Sequence, residues 1–433
     1  MQYYSTNGRA PHVDFKTATI LGQAPDKGLY FPSHIPQLEE SLIKNLAVLP
    51  EDEIAFRVIK PYIGNCIPDD VLLNIVRETI SFPIPLVPVG KSTHALELFH
   101  GPTLAFKDVG ARFMSRCLGY FLQNEQRKVT VLVATSGDTG GAVAHGFFNV
   151  PGIEVVILYP SGKVSPVQEK QLTTLGGNVR ALEVDGSFDD CQRMVKEAFA
   201  DNALRESVLL SSANSINIAR WLPQQFYYFF AMRQWPAAAE PPVVSVPSGN
   251  FGNICAGILA MRSGLPIRHF IAACNNNDMV HSYFKNGKWE PRPAIATLSN
   301  AMDVGNPSNF IRILEIMEHR DDVLKKFVST DTVSDAETLS AIRELKQEFD
   351  YVADPHGAVA YLALQRYLDQ HGGSGIFLET AHPVKFPEAI QQATGHSVAI
   401  PRELEELMNR EKKSEKILPD YNALKKILTD HEK

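Results

Sequence analysis

Short, continuous apolar runs alternate with helix-periodic stretches along most of this chain. Val129-Thr-Val-Leu-Val-Ala134, Glu154–Tyr159, Val179–Val184 and Val208–Leu210 read as buried strands. Helical patterns follow them at Ala142–Phe148, Ser165–Leu175 and Asp189–Phe199, with a long helix expected near Ile216 to Trp235. The rhythm restarts at Pro242–Pro247, continues through Ile267–Ala273 and returns at Ile376–Leu378. Strands that are apolar on both faces and separated by helices predict parallel β-α-β layers, an α/β fold.

The ends of the chain depart from this rhythm. Residues 1 to about 90 read as a unit of their own, with a helix opening at Pro68-Asp-Asp70 and carrying Val71, Leu72, Ile75, Val76 and Ile80. Ser81 to Val89 holds Pro83, Pro85 and Pro88, which break regular structure and suggest a boundary. The tail from about 401 is charge-rich and reads as helical, with Arg410–Lys416 as a solvated face.

With 433 residues, the chain exceeds the roughly 250–300 at which single cores stop growing, so two or more domains are expected. Net charge is −7, with no basic stripe, and nucleic acid is not an expected partner. Cys66, Cys117, Cys191, Cys255 and Cys274 are dispersed, as in a reduced cytoplasmic protein rather than a disulfide framework. The first residues show no signal-peptide pattern, and no apolar run reaches the ~20 residues of a membrane span. Neither an H-E-x-x-H ligand set nor a G-x-S-x-G elbow is present, and no metal is expected.

Five segments at strand ends carry candidate chemistry. Ser248-Gly-Asn-Phe-Gly-Asn253 joins a strand to a helix start, where free N–H groups and the helix dipole suit a phosphate; taken alone, it reads more readily as a tight strand-to-helix turn. Thr135-Ser-Gly-Asp-Thr-Gly-Gly141 repeats that geometry and could hold a carboxylate, or Asp138 could be an ordinary N-cap. Lys107 stands where an apolar run gives way to the stripe Phe113, Met114, Cys117, Leu118 and Phe121. A partly desolvated amine there favours the neutral nucleophile that an imine requires, although most lysines lie on the surface. Asn214, Ser215 and Arg220 could converge on a second phosphate, or cap a helix with Arg220 in water. Thr380 follows a late strand and could hydrogen-bond a ring nitrogen.

Together these segments resemble the bacterial and fungal threonine synthase family. The resemblance runs through Gly28–Pro32, Leu96–Asp108, Ala134–Gly140, Ser212–Asn217, Val246–Gly252, Leu298–Asp303 and Thr380–Pro383. It implies the fold-type-II pyridoxal-phosphate architecture: two α/β domains with mostly parallel sheets around the cofactor, preceded by a small N-terminal domain. Expected boundaries are 1–90 for the N-terminal domain, 91–220 for a first α/β region including the smaller domain, and 221–433 for the larger cofactor-binding region with C-terminal helices. The resemblance implies Lys107 as the imine-forming residue. It places Gly249, Asn250, Phe251, Gly252 and Asn253 at the cofactor phosphate and Thr380 at the pyridine nitrogen. Ser136, Gly137, Asp138 and Thr139 would face the substrate carboxylate, and Asn214, Ser215 and Arg220 its phosphate. One departure is Asn253, where many relatives are expected to carry an acid.

The implied activity is that of a carbon–oxygen lyase acting on phosphates, converting O-phospho-L-homoserine and water to L-threonine and phosphate. The implied setting is a cytoplasmic monomer or homodimer. Two other readings use the same residues: a phospho-lyase yielding 2-oxobutyrate, and a non-catalytic phosphate-binding relative.

Overall fold

The computed structural model describes residues 1–123, 128–236 and 238–429. A two-stranded antiparallel ribbon, β1 (Tyr3–Ser5) and β2 (Tyr30–Pro32), anchors the N-terminal unit. The next strands, β3 (Leu86–Pro88) and β4 (Thr93–Glu97), pair antiparallel. Then come β5 (Val129–Ala134), β6 (Ile153–Pro160), β7 (Val179–Val184) and β8 (Leu209–Ser212). The remaining strands are β9 (Val243–Pro247), β10 (His269–Cys274), β11 (Val328–Thr332), β12 (Gly375–Glu379) and β13 (Ser414–Ile417).

Two sheets result. The larger has six strands in the order β11-β10-β9-β12-β4-β3, parallel except for the β3–β4 pair. The smaller has five parallel strands in the order β13-β7-β6-β5-β8. Strands β5, β9, β10 and β12 are buried at every residue, the pattern of parallel strands covered on both faces. The α/β architecture expected from the alternating pattern is the one observed.

Sheet membership follows space rather than chain order. β4, far before residue 220, lies beside β12, while β13 returns to the edge of the smaller sheet. The tail is therefore not helical throughout: a strand separates the helices Arg402–Met408 and Tyr421–Thr429. Lys412, read as solvated, pairs with Glu169 and Glu183, each at 2.7 Å. Local charge patterning cannot report a pairing made across more than two hundred residues.

Two other expectations, both at prolines, are corrected. The helix expected near 216–235 is broken into Ile218–Trp221, a 3₁₀ turn at Leu222–Gln224 and Gln225–Gln234, with Pro223 in the turn. Proline removes an N–H from the helical ladder and crowds the preceding carbonyl. The proline-rich boundary segment nevertheless contributes β3, an edge strand, where a missing donor costs no ladder bond.

The N-terminal unit packs on the elements that carry the candidate residues. Its helix Asp69–Thr79 starts after Pro68 with Asp69 and Asp70 in the first turn, as the sequence predicts. Phe15 meets Phe121 edge-on at 6.1 Å, and Phe31 stacks on Trp221 at 5.9 Å. These contacts fix the helices Lys107–Leu122 and Ile218–Trp221 from behind.

Helix Gly252–Arg262 is pressed hard against its neighbours. A Cβ on Gly257 would stand 2.5 Å from the Tyr228 ring and 2.7 Å from that of Phe270. Alanine there would gain about 1 kcal/mol of helix propensity, but overpacking two fixed rings costs about 1–3 kcal/mol. Gly257→Ala should therefore lower the urea midpoint of the protein; an unchanged or higher midpoint would show that the rings can give way.

Candidate active site

Lys107 follows β4 of the larger sheet, and Asp138, which follows β5 of the smaller one, is close enough to act on its charge. The loop between β4 and helix Lys107–Leu122 is held by buried Asp108, which accepts from Thr103 N at 2.9 Å and Thr103 Oγ1 at 2.6 Å. Leu104 sits at φ 54°, a left-handed conformation that a branched residue adopts only when its surroundings impose it. Those surroundings are the end of β12. Phe106 N donates to Thr380 O at 2.9 Å, His382 N donates to Leu104 O at 3.0 Å, and Ala105 bridges Ala381. The Tyr227 hydroxyl donates to Phe106 O from a third side.

Lys107 is the first residue of its helix. Burial pushes its amine below the ordinary lysine value, against a smaller opposing pull from Asp138. Lys385 and Arg220 add to the lowering. This is the desolvated lysine that the sequence suggested.

Beyond β9, Phe251 caps helix Gly252–Arg262 in a left-handed conformation at φ 62°. Among the described residues, the backbone N–H groups of Gly249, Asn250, Phe251, Gly252 and Asn253 have no hydrogen-bond partner. Successive free N–H groups at a helix start make an anion cradle. Gly249 is needed there, because a Cβ would stand 2.7 Å from Met302 Cα and 2.9 Å from Ala301 O. The Asn253 side chain turns inward: its Nδ2 donates to Pro247 O at 2.8 Å and its Oδ1 accepts from Ile254 N at 2.9 Å. Its amide closes the loop, a double role that an acid could not play.

The loop after β5 forms a second cradle at the start of helix Asp138–Phe147. Thr135 Oγ1 takes the N–H groups of Gly137 and Gly140, both at 2.9 Å. Those of Ser136, Asp138 and Thr139 have no partner among the described residues. Gly137 at φ 139° caps the helix, so Asp138 is not the N-cap. The Asp138 carboxylate instead pairs with Lys385 Nζ at 2.8 Å and accepts from Gln168 Nε2 at 2.9 Å. Burial opposes its charge, but Lys385, Lys107 and these hydrogen bonds hold it well below the usual carboxylate range.

The third cluster divides. Ser215 Oγ accepts from Asn250 Nδ2 at 2.8 Å and Asn309 Nδ2 at 3.0 Å, tying it to the first-described cradle. Asn217, not Asn214 or Ser215, caps the short helix, accepting from Ala219 N at 2.9 Å. Arg220 is buried at 4% exposure, and its Nε and Nη1 find no partner; nor does Asn214 Oδ1. Arg220 packs one turn below Lys107: a Cβ on Gly110 would stand 2.6 Å from Arg220 O and 3.4 Å from its Nε. Burial presses its pKa down, to about 10, leaving it cationic at neutral pH.

Several supporting residues carry no local sequence signal. Arg312 is fully buried over Trp221 at 4.5 Å and donates to Tyr30 O, Ser215 O and Ile216 O, fixing the Asn214–Asn217 turn. Behind Thr380, Ala301 N donates to His356 Nε2 at 3.2 Å, so the ring proton lies on Nδ1 and is donated to Asp354. Asp354 also accepts from Ala381 N at 3.3 Å. Burial and the neighbouring Asp354 drive the Glu379 carboxyl well above its usual range. This network joins the Thr380 strand end to the Ala301–Met302 segment that backs Gly249. Lys385 and Gln168 belong with these; Gln168 was visible only as the fourth residue of a capping box with Ser165.

Known proteins match this chain along its whole length. Residues 85–378 match the family described as pyridoxal-phosphate dependent enzyme, residues 2–80 the threonine synthase N terminus, and residues 357–428 the threonine synthase C-terminal region. The chain is 43% identical to threonine synthase of Escherichia coli strain K12, with both chains covered in full. The chain belongs to the threonine synthase family. The crystal structure of the E. coli protein superposes with a TM-score of 0.93 over 100% of both chains. That of the pyridoxal-phosphate-bound threonine synthase from Brucella melitensis gives 0.94 at 35% identity, covering 100% of this chain and 99% of that one. The family's N-terminal domain is thus the unit that buttresses the Lys107 and Arg220 helices.

A lowered lysine pKa has two measurable consequences. In cofactor-free protein, competitive amine labelling across pH should give Lys107 a midpoint below 10.5. Because the folded chain binds that proton less tightly than the unfolded chain, stability rises with pH between the lowered value and 10.5. Lys107→Met should flatten that slope in urea titrations; an unchanged slope would place its source elsewhere.

Proposed function

We propose that this site converts O-phospho-L-homoserine and water to L-threonine and phosphate with pyridoxal phosphate, in the cytoplasm, as a monomer or homodimer. The observation that carries the reading is a desolvated Lys107 flanked by two cradles of free N–H groups and a buried guanidinium with unsatisfied donors. The residues present fit the cofactor. Five unpartnered N–H groups from Gly249 to Asn253 suit a phosphate monoester, and Lys107 suits its aldehyde. Among the described residues, no helix is long and apolar enough to cross a membrane.

When bound, pyridoxal phosphate supplies an aldehyde that takes up the amino group and a conjugated ring that draws electrons from the bonds at Cα. The chain supplies everything else. Gly249 to Asn253 hold the cofactor phosphate, with Asn250 steadied by Ser215. Thr380, on a strand end fixed by the Ala105–Ala381 bridge, would offer its hydroxyl to the pyridine nitrogen. The Ser136, Asp138 and Thr139 N–H groups receive the substrate carboxylate. Asn214 and Arg220 hold the substrate phosphate and stabilise it as it leaves Cγ.

Lys107 carries protons. Its amine, biased to the neutral form by burial, takes the Cα proton and, standing beside the same carbon skeleton, serves the later transfers at Cβ and Cγ. Water then gives its hydroxyl to Cβ and its proton to the Lys107 amine, which returns a proton to Cα. One base acting repeatedly is economical, because each transfer starts from the protonation state that the previous one leaves. The departed phosphate, held at Arg220, is placed to orient that water.

The 2-oxobutyrate-forming lyase would need these same groups. Membership of the threonine synthase family favours hydration over release of ammonia, and an intact lysine with both cradles disfavours a non-catalytic role. Purified protein given O-phosphohomoserine should release phosphate and threonine in equal amounts; 2-oxobutyrate as the main product would overturn the reading. Borohydride should fix the cofactor to the peptide containing Lys107, and Lys107→Ala should abolish the label. Arg220→Ala removes charge-assisted hydrogen bonds of about 1.5–3 kcal/mol. It should raise the KM for phosphohomoserine roughly 10- to 100-fold while cofactor affinity changes little. Equal losses of both would displace Arg220 from the substrate phosphate.

A further inference from the structure

Lys385 is a buried cation whose hydrogen-bonding capacity is mostly unused. It closes the turn Pro383–Lys385, five residues beyond Thr380, and its side chain is 0% exposed. Its Nζ lies 2.8 Å from Asp138 Oδ1, an oxygen that also accepts from Gln168 Nε2 at 2.9 Å. An ammonium carries three N–H donors. Asp138 takes one, and no other described group takes the remaining two.

The surroundings of Lys385 are short of acceptors. Asp138 heads the helix whose first free N–H groups belong to Ser136, Asp138 and Thr139. Arg220 adds two unsatisfied guanidinium nitrogens, and Lys107 adds its amine. Against these donors stand Asp138, engaged at Oδ1, Asp108, whose two oxygens are occupied by Thr103, and the uncharged Asn214 Oδ1. Buried donors without acceptors are costly, and a substrate with two anionic groups would supply what is missing.

We propose that Lys385 is an anion-recognition residue of this active site, positioned by Asp138 and giving its remaining N–H donors to an anionic oxygen of the incoming amino acid. The inference rests on the reading of the Ser136–Thr139 loop as the substrate side of the site. It also explains why an aspartate is tolerated in a loop that receives an anion: the Asp138 charge is consumed by the lysine that does the recognising. The anionic oxygen belongs to a carboxylate or to a phosphate, and the two can be told apart.

The test uses the holoenzyme, whose cofactor phosphate site is filled, with two probes titrated calorimetrically: 2-aminobutyrate, a carboxylate without phosphate, and inorganic phosphate. Three variants are compared with wild type: Lys385→Gln, Lys385→Arg, and the double variant Asp138→Asn/Lys385→Gln. The double variant leaves no uncompensated buried charge and carries the test if Lys385→Gln fails to fold. The expected result is a loss of roughly tenfold or more in affinity for one probe in the double variant, with cofactor retained and partial rescue in Lys385→Arg. Loss on the 2-aminobutyrate arm assigns Lys385 to the carboxylate; loss on the phosphate arm assigns it to the phosphate. If the double variant binds both probes as tightly as wild type, Lys385 serves only to neutralise Asp138 and the proposal falls. A wild-type enzyme that makes no threonine would overturn the assigned reaction without touching this comparison.

Discussion

Everything in the site depends on one piece of backbone pairing: the loop before Lys107 is bonded to the segment after β12 through Phe106, Leu104 and the Ala105–Ala381 bridge. Buried peptide groups must be paired, and here each segment satisfies the other. The consequence is geometric. Lys107 and Thr380, separated by most of the chain, are held against one another by main-chain bonds that no side-chain change can easily loosen. Leu104 tolerates its left-handed conformation because this pairing leaves it no alternative.

Buried charge is the second organising constraint. Removing ionic groups from water is unfavourable unless each finds a partner, and the described groups show graded solutions. Asp108 is spent on Thr103, Asp138 on Lys385 and Gln168, Asp354 on His356 and Ala381 N, while burial and Asp354 push the Glu379 carboxyl well above its usual range. Arg312 is satisfied by carbonyls and Asn309. Arg220 and Lys385 stand apart, since their donors outnumber their acceptors. In a folded core that pattern is a defect; in an enzyme for a doubly anionic amino acid it is recognition held ready in advance.

The N-terminal unit and the tail acquire roles from the same logic. Phe15 and Phe31 pack on Phe121 and Trp221, so the unit braces the C-terminal ends of the helices that carry Lys107 and Arg220. β13 closes the edge of the smaller sheet with Lys412 on Glu183, stiffening the layer that carries the Ser136–Thr139 cradle.

The sequence by itself determined the alternation of apolar strands and helices, the helix start after Pro68, and the four strand-end segments around Lys107, Ser136, Asn214 and Gly249. These are local properties: period, capping and the conformational needs of glycine act over a few residues. It also singled out Thr380 as a candidate for a ring nitrogen. What the tertiary structure alone decided is which polar groups spend their hydrogen bonds on the protein and which keep them free. Asp138 proved to be engaged by Lys385, Ser215 by Asn250, and Asn253 by its own loop, whereas Arg220 remained unsatisfied. Lys385, His356 and Arg312 could not be distinguished from surface residues until the sheets brought distant segments together, because burial and partnership are properties of the neighbours and not of the residue.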